Sequence, residues 1–550
     1  MSHALTPGLR RTLLTTALAC ACAAGLCLAA EAAAPAAAPA SPALALVLQD
    51  QVSLRGAPRD SAAVQALLWR GEVVEVRGER LDHLQVWDHR RERGGFVRAS
   101  HLQHIGTRAA DAPELLTLLR FVQTQPGAEA LGLGLAAAYI QAAPADQLAA
   151  APGAEALLAL GRMAERLADR ASAQAAGSAG AAPSRAAEAA LAAHLDVAAR
   201  YGVRFTSFER EGQRMQVCYE GDAFRRVLSL PAGAEAQAIA ALALTRPDCL
   251  NPMAHPRDRE RTDQWRAEVL DQVPDTGLPA LWRQRLAMRR ASVHASLAFA
   301  AASGIGAGGA SQAASASSVA SAAPAPASSG VPADAAARAG RAAQRALAEL
   351  AAVNPAELAD DDAAAQHEAA MRIGAVRWAA IPEATGFTAA NGVVLSTQPG
   401  AEGQTCVLLT DARHPATAPL LRRCTWGRVW LSSASASRDG QALALAVQPT
   451  DGWRELWILR RGAEGWSIGV LPPAAAAPGL GYVEFAGWVP GGQQLLVARE
   501  FRAEGRYRRS FEVLRLDTLN TERASGEASQ FGPFQRWADP AWKRLTVAVR

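Results

Sequence analysis

The residues of this chain that could do chemistry are few and scattered. Seven cysteines occur, and four of them, Cys218, Cys249, Cys406 and Cys424, lie well inside the sequence as two separated pairs. Four thiols allow three pairings, and their clustering favours Cys218 with Cys249 and Cys406 with Cys424. In an oxidising compartment each bridge would restrict the unfolded chain and contribute about 3 kcal/mol. His101 and His104 form a His-x-x-His pair without a third ligand or acid at suitable spacing, so no metal is assigned. His194, Tyr219, Asp222 and His255 are the polar side chains on which a hydrolytic site in the middle of the chain would draw. His-Glu-x-x-His, a phosphate-binding P-loop and Cys-x-x-Cys are all missing beyond residue 30. No catalytic residue and no cofactor is therefore assigned.

The bulk composition narrows the class. A chain of 550 residues is expected to form three or four domains. Charged residues make up 20% of it and the net charge is +4, too even a balance for a nucleic-acid binder. Lys543 is the only lysine, so nearly every cation is arginine. At the start, Arg10 and Arg11 precede an apolar run from Leu13 to Ala30, and small residues surround Glu31. This is the pattern of a secretory signal over residues 1–30, followed by an Ala/Pro linker over 31–44. Its removal would take three of the cysteines and leave no stable transmembrane span. The expected location is periplasmic or secreted, with a lipid anchor as the alternative.

Residues 45–106 change to short apolar runs between turns, with candidate strands at Ala45–Leu48, Gln65–Leu68, Val73–Gly78, Leu84–Asp88 and Gly95–Val97. Such spacing predicts a small all-β barrel. Val52-Ser53-Leu54-Arg55-Gly56-Ala57-Pro58, Leu68-Trp69-Arg70-Gly71-Glu72-Val73-Val74-Glu75-Val76 and Gly95-Phe96-Val97 follow one another here. In these segments the chain resembles the bacterial SH3-like family. The resemblance implies a binding module whose partner is a peptidoglycan peptide or an envelope protein. His83 and Phe96 stand where that family has tryptophan. Aromatic faces supply most of the contact area of such grooves, which makes Trp69, His83, Trp87 and Phe96 the candidate binding residues.

Residues 112–301 are Ala- and Leu-rich with helical spacing, as at Leu157, Leu160, Met163 and Leu167. A loop is expected over Ala171–Ala182. Three short strands are expected near Arg204–Phe208, Met215–Tyr219 and Phe224–Leu228, then a helix over Ala234–Leu244. The helical α+β domain ends in a stretch, 302–332, of almost pure Ala, Ser, Gly and Pro. Its composition predicts a flexible linker dividing the chain into two independent halves. A helical connector over 333–371 follows.

Residues 372–550 carry a repeat. Apolar runs at Val393–Leu395, Leu443–Val447, Leu495–Ala498 and Leu545–Val549 start about 50 residues apart, each after a turn, with Trp378, Trp430, Trp488 and Trp537 earlier in each unit. Gly487-Trp488-Val489-Pro490-Gly491-Gly492-Gln493 and Ser437-Arg438-Asp439-Gly440-Gln441 resemble blade motifs of WD-like and periplasmic β-propellers. The resemblance implies a propeller-like stack in which the tryptophans pack between blades. The chain as a whole is thus expected to be a multi-domain α+β protein, exported, that binds or scaffolds envelope components. The alternative is a cell-wall hydrolase or other enzyme with its site in 112–301.

Overall fold

A computed structural model describes residues 42–175, 184–210, 214–304, 333–475 and 479–545. The expected signal segment, most of the 31–44 linker and residues 305–332 of the second linker lie outside the described residues. From Ala43 onward the elements belong to one unit of mixed α and β structure.

Alternation of apolar and polar residues builds seven strands at the start of this unit. These are β1 (Ala43–Val47), β2 (Val52–Arg55), β3 (Val64–Leu68), β4 (Val73–Arg80), β5 (His83–Asp88), β6 (Arg93–Arg98) and β7 (Leu102–Ile105). They form one sheet in the order β3-β2-β6-β5-β4-β1-β7, curled around Val47, Leu54, Val86 and Val97. The expected barrel does not close, because the end strands β3 and β7 do not pair with each other. The reason lies in β1, which has two faces to bury. Ala45 and Val47 fill the core of the sheet, whereas Leu46, together with Ile105 of β7, enters the core of the helices that follow.

Those helices are α1 (Ala112–Val122), α2 (Glu129–Ala142), α3 (Ala145–Leu148), α4 (Ala151–Ala175) and α5 (Arg185–Arg200). On α4, apolar side chains at three- and four-residue steps, Leu157, Leu160, Ala164, Leu167 and Ala171, form one buried stripe. The helix continues to Ala175, into the expected loop, whose remainder lies outside the described residues. A hairpin of β8 (Phe205–Arg210) and β9 (Arg214–Tyr219) then leads to α6 (Asp222–Ser229). The third expected strand is thus a helix. Ala223, Phe224 and Val227 are its buried side chains, which is a helical period rather than an alternating one. Gly221, at φ 87°, supplies the left-handed residue that turns the chain from β9 into it.

The sheet docks on these helices through a glycine. Gly71 has φ 83°, and a Cβ there would stand 2.4 Å from the Ala130 carbonyl oxygen of α2. Polar contacts surround this close approach. Tyr201 donates its hydroxyl to the Gly71 carbonyl at 2.7 Å, His194 Nε2 meets Asp50 at 2.7 Å, and Arg200 reaches the buried Glu72 at 3.2 Å.

The next helices are α7 (Ala234–Leu244), α8 (Pro256–Asp271), α9 (Ala280–Ala302), α10 (Ala333–Ala351) and α11 (Ala363–Val376). Cys218 of β9 is bonded to Cys249, just beyond α7, as the spacing suggests. The helices on either side of residues 305–332 pack on each other, so the two parts of the chain share a core instead of standing as independent halves. Ala291, Ala295, Ala298 and Ala302 of α9 meet Ala339, Ala343 and Ala346 of α10. Alanine stripes at this spacing let two helix backbones approach closely.

Three four-stranded antiparallel meanders follow. The first is β10 (Gly386–Thr388), β11 (Val394–Pro399), β12 (Thr405–Thr410) and β13 (Leu421–Thr425). Cys406 and Cys424 face each other across β12 and β13 and are bonded. The second comprises β14 (Arg428–Ala436), β15 (Ala442–Thr450), β16 (Trp453–Gly462) and β17 (Gly465–Leu471). The third comprises β18 (Gly481–Trp488), β19 (Gln494–Ala503), β20 (Arg506–Arg515) and β21 (Thr521–Ser525). A short parallel pairing of β16 with β18, at Trp453–Gly481 and Arg454–Tyr482, joins the second meander to the third. The first three recurring apolar runs of the sequence each fall in the second strand of a meander. Trp537 and Leu545 belong to two helices, α12 (Gly532–Trp537) and α13 (Pro540–Leu545), and residues 546–549 lie outside the described residues. Phe534 and Trp542 of these helices bury against Phe511 and Tyr482 of the third meander.

A buried trio ties the helices to the meanders. Glu484 of β18 accepts from Arg377, in the turn after α11, at 2.5 and 2.8 Å, and from Arg454 of β16 at 2.5 Å. All three side chains are less than 5% exposed. Burial opposes ionisation of Glu484, but the two guanidinium groups outweigh it and hold the carboxyl below the ordinary glutamate value.

Two substitutions test these joints. Gly71→Ala combines a positive φ with a collision against Ala130, and urea unfolding should show a loss of more than about 1 kcal/mol. Glu484→Gln leaves two buried cations without their counter-charge and should cost about 3–5 kcal/mol in the same measurement. A loss below about 1 kcal/mol for Glu484→Gln would show that the trio does not hold the layers together.

Candidate functional site

The outer face of the N-terminal sheet is set by strand alternation. On β5, Leu84 and Val86 point into the core, so His83, Gln85 and Trp87 belong to the opposite face. Cross-strand pairing extends that face into a row, because residues directly opposite share a side. Val64 of β3 pairs with Arg55 of β2, Arg55 with Phe96 of β6, and Phe96 with Gln85 of β5. Val64 is 50% exposed, and Phe96 and Trp87 are half-buried. Trp87 lies opposite Gly94, and the Arg77 guanidinium stands 4.5 Å over its ring. β3 is also an end strand of the sheet, with Val64 and Leu67 exposed along it.

Of the four candidates from the sequence, three share this face. His83 is buried at its end, with Nδ1 2.7 Å from Asp82 and Nε2 3.8 Å from Asp60, while Arg98 pairs with both acids. Its ring is held by neighbours rather than presented. Trp69 is separate, half-buried in the turn between β3 and β4, where its carbonyl accepts from Glu72. Arg55, Arg77 and Val64 belong to the face and were not singled out from the sequence. Alternation along β2 and β4 was the available signal, and Arg55 lies inside the quoted SH3-like segment.

A second concave surface lies between the turns of the second and third meanders. It is a groove of about 680 Å³ with Trp466, Arg461, Gln494, Arg515 and Glu522 in its wall. The turns after β14, β16, β18 and β20 all reach this end of the meanders, which is why their polar residues gather there.

The four residues of 112–301 on which a hydrolytic site would draw, His194, Tyr219, Asp222 and His255, do not share one site. His194 is buried against Asp50, and His255 caps α8 by accepting from the Arg257 backbone. Asp222 pairs with Arg204 and Arg225. Burial pushes the Tyr219 hydroxyl up to about 12, and its oxygen accepts from the Ala223 backbone. Each is committed to a local structural contact. Among the described residues, no group of three or more His, Cys, Asp or Glu is placed to hold a metal ion.

One carboxyl of this region is shifted into the neutral range. Burial pushes Glu165 of α4 up to about 7, against the pull of Arg246 at 3.5 Å. The folded protein therefore holds this proton more tightly than the unfolded chain, whose glutamates titrate near 4.5. The contribution to stability is complete below pH 4.5 and is lost as pH rises through 7, because the folded state then carries a poorly solvated carboxylate. Glu165→Gln should remove about 1–3 kcal/mol of that decline. Urea titrations between pH 4 and 8 should show the variant gaining on the wild type as pH rises; parallel curves would contradict the assignment.

No family model matches the chain, no curated protein matches it, and no solved structure does.

Proposed function

We propose that the protein is an exported binding and scaffolding component of the cell envelope. In this reading the N-terminal sheet is an SH3-like module that grips a peptidoglycan peptide or an envelope protein, and the meanders are propeller-like blades that provide a second docking surface. The observation that carries it is the row Val64, Arg55, Phe96 and Gln85, with Trp87 and Arg77 alongside, on the face of the sheet turned away from its core. Half-buried aromatic rings flanked by arginine suit a peptide: the rings give apolar area and the guanidinium groups give hydrogen bonds to carbonyls or carboxylates. The exposed strand β3 offers backbone groups beside that row, to which an extended peptide could add.

Two bonded cysteine pairs suit an oxidising compartment such as the periplasm or the exterior. Among the described residues, no helix is long and apolar enough to cross a membrane. The protein acts, in this proposal, through surfaces and not through reactive side chains.

Sedimentation with purified peptidoglycan, paired with affinity capture from envelope extracts, tests the proposal. The wild-type protein should co-sediment with the polymer or retain a specific envelope protein. Trp87→Ala and Phe96→Ala should each weaken that association about tenfold, the loss expected when an interface aromatic is truncated. Wild-type protein that stays in the supernatant and captures nothing would overturn it.

A further inference from the structure

A cavity of about 300 Å³ lies among α7, α8, α9 and α11, away from both surfaces described above. Five arginines line it: Arg259, Arg266, Arg285, Arg289 and Arg372. Three have carboxylate partners. Arg285 meets Asp362 at 2.9 Å, Arg266 meets Asp263 at 2.7 Å, and Arg372 meets Glu368 at 2.9 Å and Asp451 at 3.5 Å. Arg259 and Arg289 have no carboxylate within ion-pair distance among the described residues.

Arg289 is the informative one. Its Nη1 donates to the Leu242 carbonyl at 3.0 Å and to the Thr245 carbonyl at 2.5 Å, so one edge of the guanidinium closes the end of α7. The other edge, Nε and Nη2, has no acceptor among the described residues. Burial, reinforced by the like charge of Arg266, pushes Arg289 down to about 10, which still leaves it charged at neutral pH. Asp248 and Glu368 offset this only in part from beyond ion-pair distance, so the desolvated cation remains costly and a bound anion relieves that cost.

Ser292, Ser296 and the carboxylates Asp362 and Glu368, already paired with Arg285 and Arg372, also line the cavity, and the remainder of its wall is apolar. Leu242, Leu250, Met288 and the Trp282 ring, over which Arg285 stands at 5.0 Å, complete it. The volume lies at the lower end of the range that holds a small organic molecule. We propose that this cavity is a binding site for a small organic anion, its phosphate or carboxylate head held by Arg259 and Arg289 and its apolar body set against Trp282, Met288 and Leu250. The site is independent of the envelope-binding surfaces and stands or falls without them.

Titration calorimetry of the full chain with phenyl phosphate and with inorganic phosphate, at matched ionic strength, provides the test. Phenyl phosphate should bind saturably, and at least about tenfold more tightly than inorganic phosphate, because only it fills the apolar wall. Arg259→Ala removes a side chain with no ion pair among the described residues, so it should fold normally and weaken phenyl phosphate at least about tenfold. Arg289→Met should do the same, and Arg289→Lys, which keeps the charge, should restore part of the affinity. Absence of saturable heat, unchanged affinity in Arg259→Ala, or equal affinity for the two phosphates would each overturn the assignment.

Discussion

Glu484 sits where three parts of the chain meet, and its charge can be satisfied only if all three are in place. Arg377 comes from the turn that ends the helical layer, Arg454 from the second meander, and Glu484 itself from the third. Neither arginine can shed its charge, so the carboxylate is the only group of the trio that acid can neutralise. Misplacing any one partner strands the others in a region without water. The parallel pairing of β16 with β18 spans only two residue pairs, too few to fix the angle between meanders alone. The trio supplies the missing directional constraint.

The helical layer solves a different problem with a different residue. Its central seam is lined mostly by alanine, which gives little apolar area per residue but permits close approach. α9 and α10 use that approach along Ala291, Ala295 and Ala298 against Ala339 and Ala343. Small side chains leave no room for error in spacing, and Trp430 of β14 closes the end of this seam with the bulk that alanine lacks. Arginine then handles the polar ends, as at Arg266 and Arg289, which both donate to the Thr245 carbonyl at the close of α7.

Much of the architecture was legible because it depends on local periodicity. The strands of residues 45–106 and the recurring runs near Leu443 and Leu495 declare themselves by alternation and by their turns. The helix Ala234–Leu244 falls where its composition and the following Pro247 place it. Phe224–Leu228 misled because five residues can satisfy both an alternating and a three-residue period; Gly221 decided the matter through backbone conformation that the pattern does not encode. The fourth tryptophan of the repeat, Trp537, was equally deceptive, since Pro533 and Pro540 begin helices there. The shared core of α9 and α10 was invisible because the stretch between them is long and the contact is made by alanine. Of the outer face of the sheet, the aromatic members were legible by type. Arg55, Arg77 and Val64 were not, because their place depends on register across several strands.

Neither cystine bridges two layers. Cys218–Cys249 closes a loop of 31 residues beside β9, and Cys406–Cys424 joins adjacent strands of one meander, 18 residues apart. Oxidation thus fastens neighbours already side by side and imposes no sequence of events on how sheet, helices and meanders come together. That choreography is left to noncovalent meetings such as Gly71 with α2 and Glu484 with its arginines, which can form, fail and form again until every part has arrived.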